Sequence, residues 1–330
     1  MALAKIMRLG QQAMRMMRHD KLPDDASPVS VSQKELIRLS GPARTIPLDV
    51  LHINSLQAGA YVSHFKGRGM EFDESRPYQP GDDPRNIDWR VTARSSQAYT
   101  KLFREERERP VLIMVDLRSN MHFATQGCFK SVNASRAAAL IAWAAHHRGD
   151  RLGGIVFGDT THRELKPRLG RQSALHYLHE LVTHPDWEHT VQSADKSSEE
   201  PLQQAMGALR RVARPGSLVV VISDFLGFGK MPQSHLAGIA RHNEVLAVFV
   251  SDRLERELPP PGRYRLVSAG AEMAIDTYAR SAREEYKHEF AQRQEALEHF
   301  CQRYGIHLMS LSSNDDPVET MQKALGRRSH

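Results

Sequence analysis

Apolar and polar positions along this chain follow two different rhythms. From residue 110 onward, short continuous apolar runs recur: VLIMV at 111–115, LGGIVF at 152–157, LVVVI at 218–222, VLAVFV at 245–250 and IHLMSL at 306–311. Runs of this length, without polar alternation, are expected of parallel strands buried on both faces. Helical spacing fills the intervals, over 135–147, 173–182, 199–213, 234–241, 277–303 and 317–325. In the longest of these, Tyr278, Tyr286, Phe290, Leu297 and Phe300 supply the expected buried stripe. A short edge strand is expected at 162–165, a polar loop at 185–198, and two further strands at 264–267 and 272–275 after the Pro259-Pro260-Pro261-Gly262 break. Strands alternating with helices in this way predict a doubly wound, mostly parallel α/β sheet.

The first 109 residues read otherwise. Residues 1–19 form a basic, Met-rich amphipathic pattern, and 20–30 a polar connector with two prolines. Ser32 opens a short helix that should end at Gly41. Glycine, serine and aromatic residues dominate 51–72, which suggests short strands or an irregular platform, and 99–106 reads as a strand. Three parts are therefore expected: an N-terminal basic helix and flexible linker over 1–42, a β/irregular extension over 43–109, and the α/β domain over 110–326.

Composition narrows the classes of function. Of 330 residues, 25% are charged and 40% hydrophobic, a soluble globular balance with ample core. The net charge of +6 is spread among interleaved acids, which argues for a solvated surface rather than a nucleic-acid footprint. Cys128 and Cys301 stand far apart, as expected in a reducing cytoplasm without a disulfide framework or a zinc site. No apolar run approaches the ~20 residues that span a bilayer. The helix at 1–19 is of the kind that lies on a membrane surface or docks on a partner, or simply frays.

Ligands of open parallel sheets bind beyond the carboxyl ends of the strands, at the switch in strand order. Asp116 and Asp224 close two of the apolar runs. Paired carboxylates there suit Mg²⁺; equally, they suit helix capping and loop bonding. The phosphate-loop, dinucleotide, zinc-protease and serine-hydrolase motifs are all absent from the sequence. No nucleophile, base and orienting group assemble, so no enzyme and no cofactor are expected. The alternative is a metal-dependent hydrolase using Asp116, Asp224 and Glu200.

The densest chemistry lies at 76–94, RPYQPGDDPRNIDWRVTAR, where Arg76, Gly81, Asp82, Asp83, Arg85, Asp88, Trp89 and Arg94 crowd together. Pro-Gly-Asp-Asp is turn chemistry. The charges are expected either to form a structural ion-pair network anchored by Trp89 or to present a docking surface.

This segment, with GRGMEF before it and VLIMVDLRSNM and VVVISDF after it, resembles the bacterial family known as domain of unknown function 58. Later stretches, SDRLERELPPPGRYRL at 251–266 and AIDTYARSAREEY at 274–286, fit as well. The resemblance implies a von Willebrand factor A type of α/β domain with an N-terminal addition. It also implies partnership with a MoxR-type AAA+ ATPase, its client protein, or both, in chaperone-like assembly or maturation. It further implies a metal-ion-dependent adhesion site, and here the chain departs from the pattern. D-x-S-x-S becomes Asp116, Leu117, Arg118, Ser119, Asn120, and the later threonine falls near Glu200. An Arg118 guanidinium paired with Asp116 and Asp224 would supply the positive charge that a divalent cation brings elsewhere. The competing arrangement swings Arg118 outward and leaves Asp116, Ser119, Asn120 and Asp224 as Mg²⁺ ligands.

Overall fold

A computed structural model describes residues 27–48, 70–79, 82–95, 97–105, 109–187, 199–268 and 271–326. The basic helix expected at 1–19 and most of the platform expected at 51–72 lie outside these residues. The chain divides into two compact units, residues 59–108 and residues 1–58 with 109–330.

The larger unit is built on a six-stranded sheet. Its strands are β3 (Pro110–Asp116), β4 (Arg151–Phe157), β5 (His162–Arg168), β6 (Leu218–Ser223), β7 (Glu244–Ser251) and β10 (His307–Ser312), in the order β10-β7-β6-β3-β4-β5. All neighbours pair in parallel except β5, which closes the β4 edge antiparallel. Each of the five apolar runs becomes a parallel strand. Successive residues then sort to opposite faces, as the strand period of two requires. Val111, Ile113, Val115, Val220 and Ile222 enter one core, and Leu112, Met114, Val219, Val221 and Phe249 enter the other. Glycine is needed in β4 because a side chain on Gly154 would overlap the Ile113 carbonyl of the neighbouring strand.

The first core is covered by helices Lys130–His147, Arg171–Val182 and Pro317–Gly326, and the second by Glu200–Val212, Lys230–Ala240 and Arg280–Tyr304. Lys130–His147 is buried at all of its first sixteen residues but Arg136. The short helices Gln33–Arg38 and Ser40–Ala43 help cover it: Leu36 is fully buried, and its carbonyl accepts a 3.0 Å hydrogen bond from Trp143 Nε1. Ser32 caps the first of these helices through Glu35 N, but Gly41 does not end the helical stretch. Ala43, Ile46 and Leu48 are buried in this same core, so 43–48 belong with the α/β unit rather than with the extension. Tyr286, Phe290 and Leu297 form the expected stripe on Arg280–Tyr304; Tyr278 precedes that helix and is 63% exposed. A hairpin of β8 (Arg263–Ser268) and β9 (Ala271–Asp276) leads into it.

In the smaller unit, β1 (Met70–Pro77) and β2 (Tyr99–Glu105) pair antiparallel. Their connection carries a 3₁₀ turn, Pro84–Asn86, and a single helical turn, Trp89–Thr92.

Candidate functional site

Strand order reverses between β3 and β6, and both candidate aspartates sit at that switch point. Asp116 ends β3 and Asp224 follows β6; both are fully buried. Arg118, 4% exposed, turns inward. Its Nε donates to Asp116 Oδ1 at 3.0 Å, its Nη2 to Asp116 Oδ2 at 2.7 Å, and its Nη1 to the Leu226 carbonyl at 3.1 Å. The same guanidinium lies 3.8 Å from Asp224 Oδ1 and 5.6 Å from the centre of the Phe157 ring. Ser223, the last residue of β6, completes Asp116 by donating its hydroxyl to Oδ2 at 2.6 Å.

A second cation enters from the other side. Lys130, the first residue of its helix, is fully buried, and its ammonium lies 2.7 Å from Asp224 Oδ2 and 2.6 Å from Glu255 Oε1. The Asn120 amide donates to the same Asp224 oxygen at 2.7 Å, and Leu226 N to Oδ1 at 3.0 Å. Glu255 accepts from Asp252 N at 2.9 Å within a capping box, and Asp252 accepts from the Thr125 hydroxyl at 2.6 Å and from the Ser313 hydroxyl. The network thus runs along the carboxyl ends of four parallel strands.

Burial by itself opposes every charge here, and the partners decide the outcome. Burial would raise Asp224, yet Lys130 first and Arg118 next hold it well below the usual carboxylate range. Arg118 moves the other way: desolvation is the largest single effect on it, but Asp116, Asp224 and Asp159 together outweigh it and raise the guanidinium. Lys130 is likewise raised against burial by Asp224 and Glu255. Glu255 is raised: burial comes first, and the nearby Asp224 adds to it against the opposing Lys130. The loop beyond carries strain, for Phe225 adopts φ +52°, uncommon outside glycine.

The expected Mg²⁺ set does not fit this geometry. All four oxygens of Asp116 and Asp224 already accept hydrogen bonds, and the donors include two cations. The Asn120 amide donates to Asp224, which turns its nitrogen toward that carboxylate. Ser119 N donates to Asp159 at 2.8 Å. Glu200 is exposed, and its carboxylate accepts from Gln204 at 3.2 Å; its neighbour Glu199 instead lies against Gly227 and Gly229 in the loop after β6. Among the described residues, no group of three or more His, Cys, Asp or Glu is placed to hold a metal. The pairing of Arg118 with Asp116 and Asp224 is present, whereas Lys130, Ser223 and Glu255 escaped the sequence reading. The signal for Lys130 was a helix start five residues earlier than the apolar run indicated.

The signature segment is organised mainly by capping. Arg76 pairs with Asp82 at 2.7 Å, and Asp82 also accepts from Gln79 N at 2.9 Å; the backbone bond first and Arg76 next hold its carboxyl below the usual range. Asp83 accepts from Arg85 N at 3.0 Å. Asp88 accepts from Arg90 N and Val91 N at 3.1 and 3.2 Å, and from the Ser75 hydroxyl at 3.1 Å. Gly81 lies outside the described residues. Trp89 is 70% exposed and cannot be the apolar anchor expected of it: as first residue of a single helical turn, its side chain projects outward. Arg85, Arg90 and Arg94 are exposed, with no carboxylate partner among the described residues.

Compared with known proteins, the chain matches the family described as "Protein of unknown function DUF58" over residues 74–296. It is 31% identical over 307 residues to the uncharacterized proteins Mb1516 of Mycobacterium bovis and Rv1480 of Mycobacterium tuberculosis, across 91% of this chain and 93% of each of them. Among solved structures it is similar to the conserved hypothetical protein BatB from Bacteroides thetaiotaomicron, at 12% identity and TM-score 0.39, over 66% of this chain and 97% of that one.

Proposed function

We propose that this chain, which belongs to the DUF58 family, is a non-enzymatic, protein-binding adaptor with an α/β domain of von Willebrand factor A type. Its partner class is a MoxR-type AAA+ ATPase, and the pair acts in assembly or maturation of client proteins. One observation carries the docking role: a 70% exposed Trp89 flanked in sequence by the exposed Arg85, Arg90 and Arg94, on a turn fixed by Asp82, Asp83 and Asp88. Tryptophan and arginine dominate binding hot spots, and a turn already capped in place loses little entropy when a partner settles on it. The non-enzymatic part is supported by the saturated carboxylates at the switch point, which leave neither a base nor a metal ligand free there. In this account the internal cations Arg118 and Lys130 stand where the adhesion site of such domains would hold its ion.

The test is affinity capture from native lysate with mass-spectrometric identification. Wild type should recover a MoxR-type ATPase, and Trp89→Ala should recover at least ~10-fold less, as hot-spot truncations of 2 kcal/mol or more imply, with an unchanged melting temperature. Repeated capture without any such ATPase, or a Trp89→Ala protein that melts clearly lower, would overturn the proposal.

A further inference from the structure

A cavity of about 710 Å³ lies at the start of helix Arg280–Tyr304 and borders the Thr125–Asp252 end of the ionic network. The two stretches that stood out in the sequence, 251–266 and 274–286, both line it. Four cations face it: Arg253, Arg280, Arg283 and Lys287. Only two carboxylates, Glu257 and Glu284, accompany them, and Glu284 is already taken by Arg280 at 2.7 Å. Arg253, Arg283 and Lys287 have no acidic partner among the described residues. The Nε of Arg283 is both shielded from water and without a hydrogen-bond partner, a costly state for a charged group unless something completes it. The rest of the lining is mainly apolar, Leu254, Leu258, Pro259, Pro260 and the Tyr264 ring, whose hydroxyl is tied to the Pro260 carbonyl at 2.9 Å, with Thr125 and Gln126 as its neutral polar members. Tyr278, 63% exposed, stands on the segment just before the helix.

The layout selects among anionic ligands. Arg280, Arg283 and Lys287 share one helical face, and Arg280 and Lys287 are spaced by about 10 Å along the axis at 1.5 Å per residue. A single phosphate needs donors converging on one point, which a row of this length does not provide. An extended peptide presents alternate side chains on one side about 7 Å apart, and so matches the row with acidic residues. Its intervening side chains then face the apolar residues of 254–260.

We propose that this cavity is a docking groove for an acidic, extended segment of a partner protein, with carboxylates at alternate positions and apolar residues between them. The proposal goes beyond the adaptor reading and does not depend on Trp89 or the ionic cluster. Loss of ATPase capture with groove binding intact defeats that reading alone, and the converse result defeats this one alone.

Fluorescence anisotropy of the full chain with a dye-labelled Glu-Leu-Glu-Leu-Asp-Leu-Glu peptide tests it. Binding should be saturable and weaken with salt, and the same peptide with lysine in place of each acid should not bind. Arg283→Glu with Lys287→Glu should weaken binding at least tenfold. Because Arg283 is partly buried, exposed Lys287→Ala provides a second variant that keeps the fold and should weaken binding about threefold. Three results overturn the proposal: no saturable binding, equal binding by Lys287→Ala, or displacement of the peptide by equimolar ATP, which would make the cavity a nucleotide site.

Discussion

Lys130 offers the sharpest test of the ionic cluster. Its ammonium is fully buried and holds two carboxylates, Asp224 and Glu255, at 2.7 and 2.6 Å. Lys130→Met keeps the length and apolar stem of the side chain and removes the charge. Two carboxylates then share a dry site with Arg118 alone, and Arg118 is committed mainly to Asp116. Removing one partner of a buried pair costs roughly 3–5 kcal/mol, which for a unit of this size lowers the melting temperature by roughly 10 °C. The loss should also depend on pH. Without Lys130, the least costly response is for Glu255 to take up a proton, and its pKa is already raised in the intact protein. A carboxyl whose folded pKa lies above its unfolded value binds the proton more tightly when folded, so its contribution is present at low pH and lost as pH rises. The stability gap between variant and wild type should therefore narrow by up to about 1.4 kcal/mol per unit as pH falls from 8 toward 5. Urea unfolding followed by circular dichroism at several pH values measures this. Adding Glu255→Gln to Lys130→Met should restore more than half of the loss. A loss below about 1 kcal/mol at pH 7.5, where breaking a buried pair should cost several-fold more, would refute the reasoning, as would a gap that does not move with pH.

Two further outcomes follow from the same structure. Titration calorimetry with Mg²⁺ or Mn²⁺ should show no micromolar binding, and partner capture should survive EDTA; binding that disappears in Asp116→Ala would contradict the saturated geometry. His122, packed 5.4 Å from the Trp187 ring and 6.1 Å from Phe129, is held down to about 4 by burial and then by the neighbouring His184. A histidine with a lowered folded pKa binds its proton more tightly when unfolded, so stability is intact above pH 6.5 and falls toward pH 4 by about 2–3 kcal/mol. His122→Phe should flatten that slope while leaving stability at neutral pH unchanged or higher, since the histidine's Nε2 is buried without a partner.

How far the sequence disclosed these features depended on the range of the forces involved. Buried parallel strands declare themselves because both faces must be apolar, and so 111–115, 218–222 and 245–250 each became a central strand. Asp116, Arg118 and Asp224 were recognisable for a similar reason, standing at or just beyond the ends of such runs. Lys130 was not, because a lysine at a helix start reads as solvent-exposed until tertiary packing brings Asp224 and Glu255 over it from distant parts of the chain. Trp89 erred in the opposite direction. Its aromatic ring suggested burial, but a single helical turn capped by Asp88 leaves the first side chain outside. Local capping fixed that position, and no hydrophobic pattern reports on local capping.

The two cations also bear on how such an adaptor would be controlled. A bound Mg²⁺ exchanges with solvent and with a partner's carboxylate, so affinity can follow ion concentration. Arg118 and Lys130 are tethered by their own backbones and cannot leave. Together with Ser223, Asn120 and Glu255 they tie the ends of β3 and β6 to helix Lys130–His147 and to the turn Arg253–Arg256. A partner carboxylate approaching Asp116 or Asp224 would meet oxygens already bonded and a site with no open coordination position. Recognition is therefore expected on surfaces that already stand free, the Trp89 turn and the basic groove at Arg280–Lys287. The internal ion pairs serve to hold the switch point of the sheet rigid.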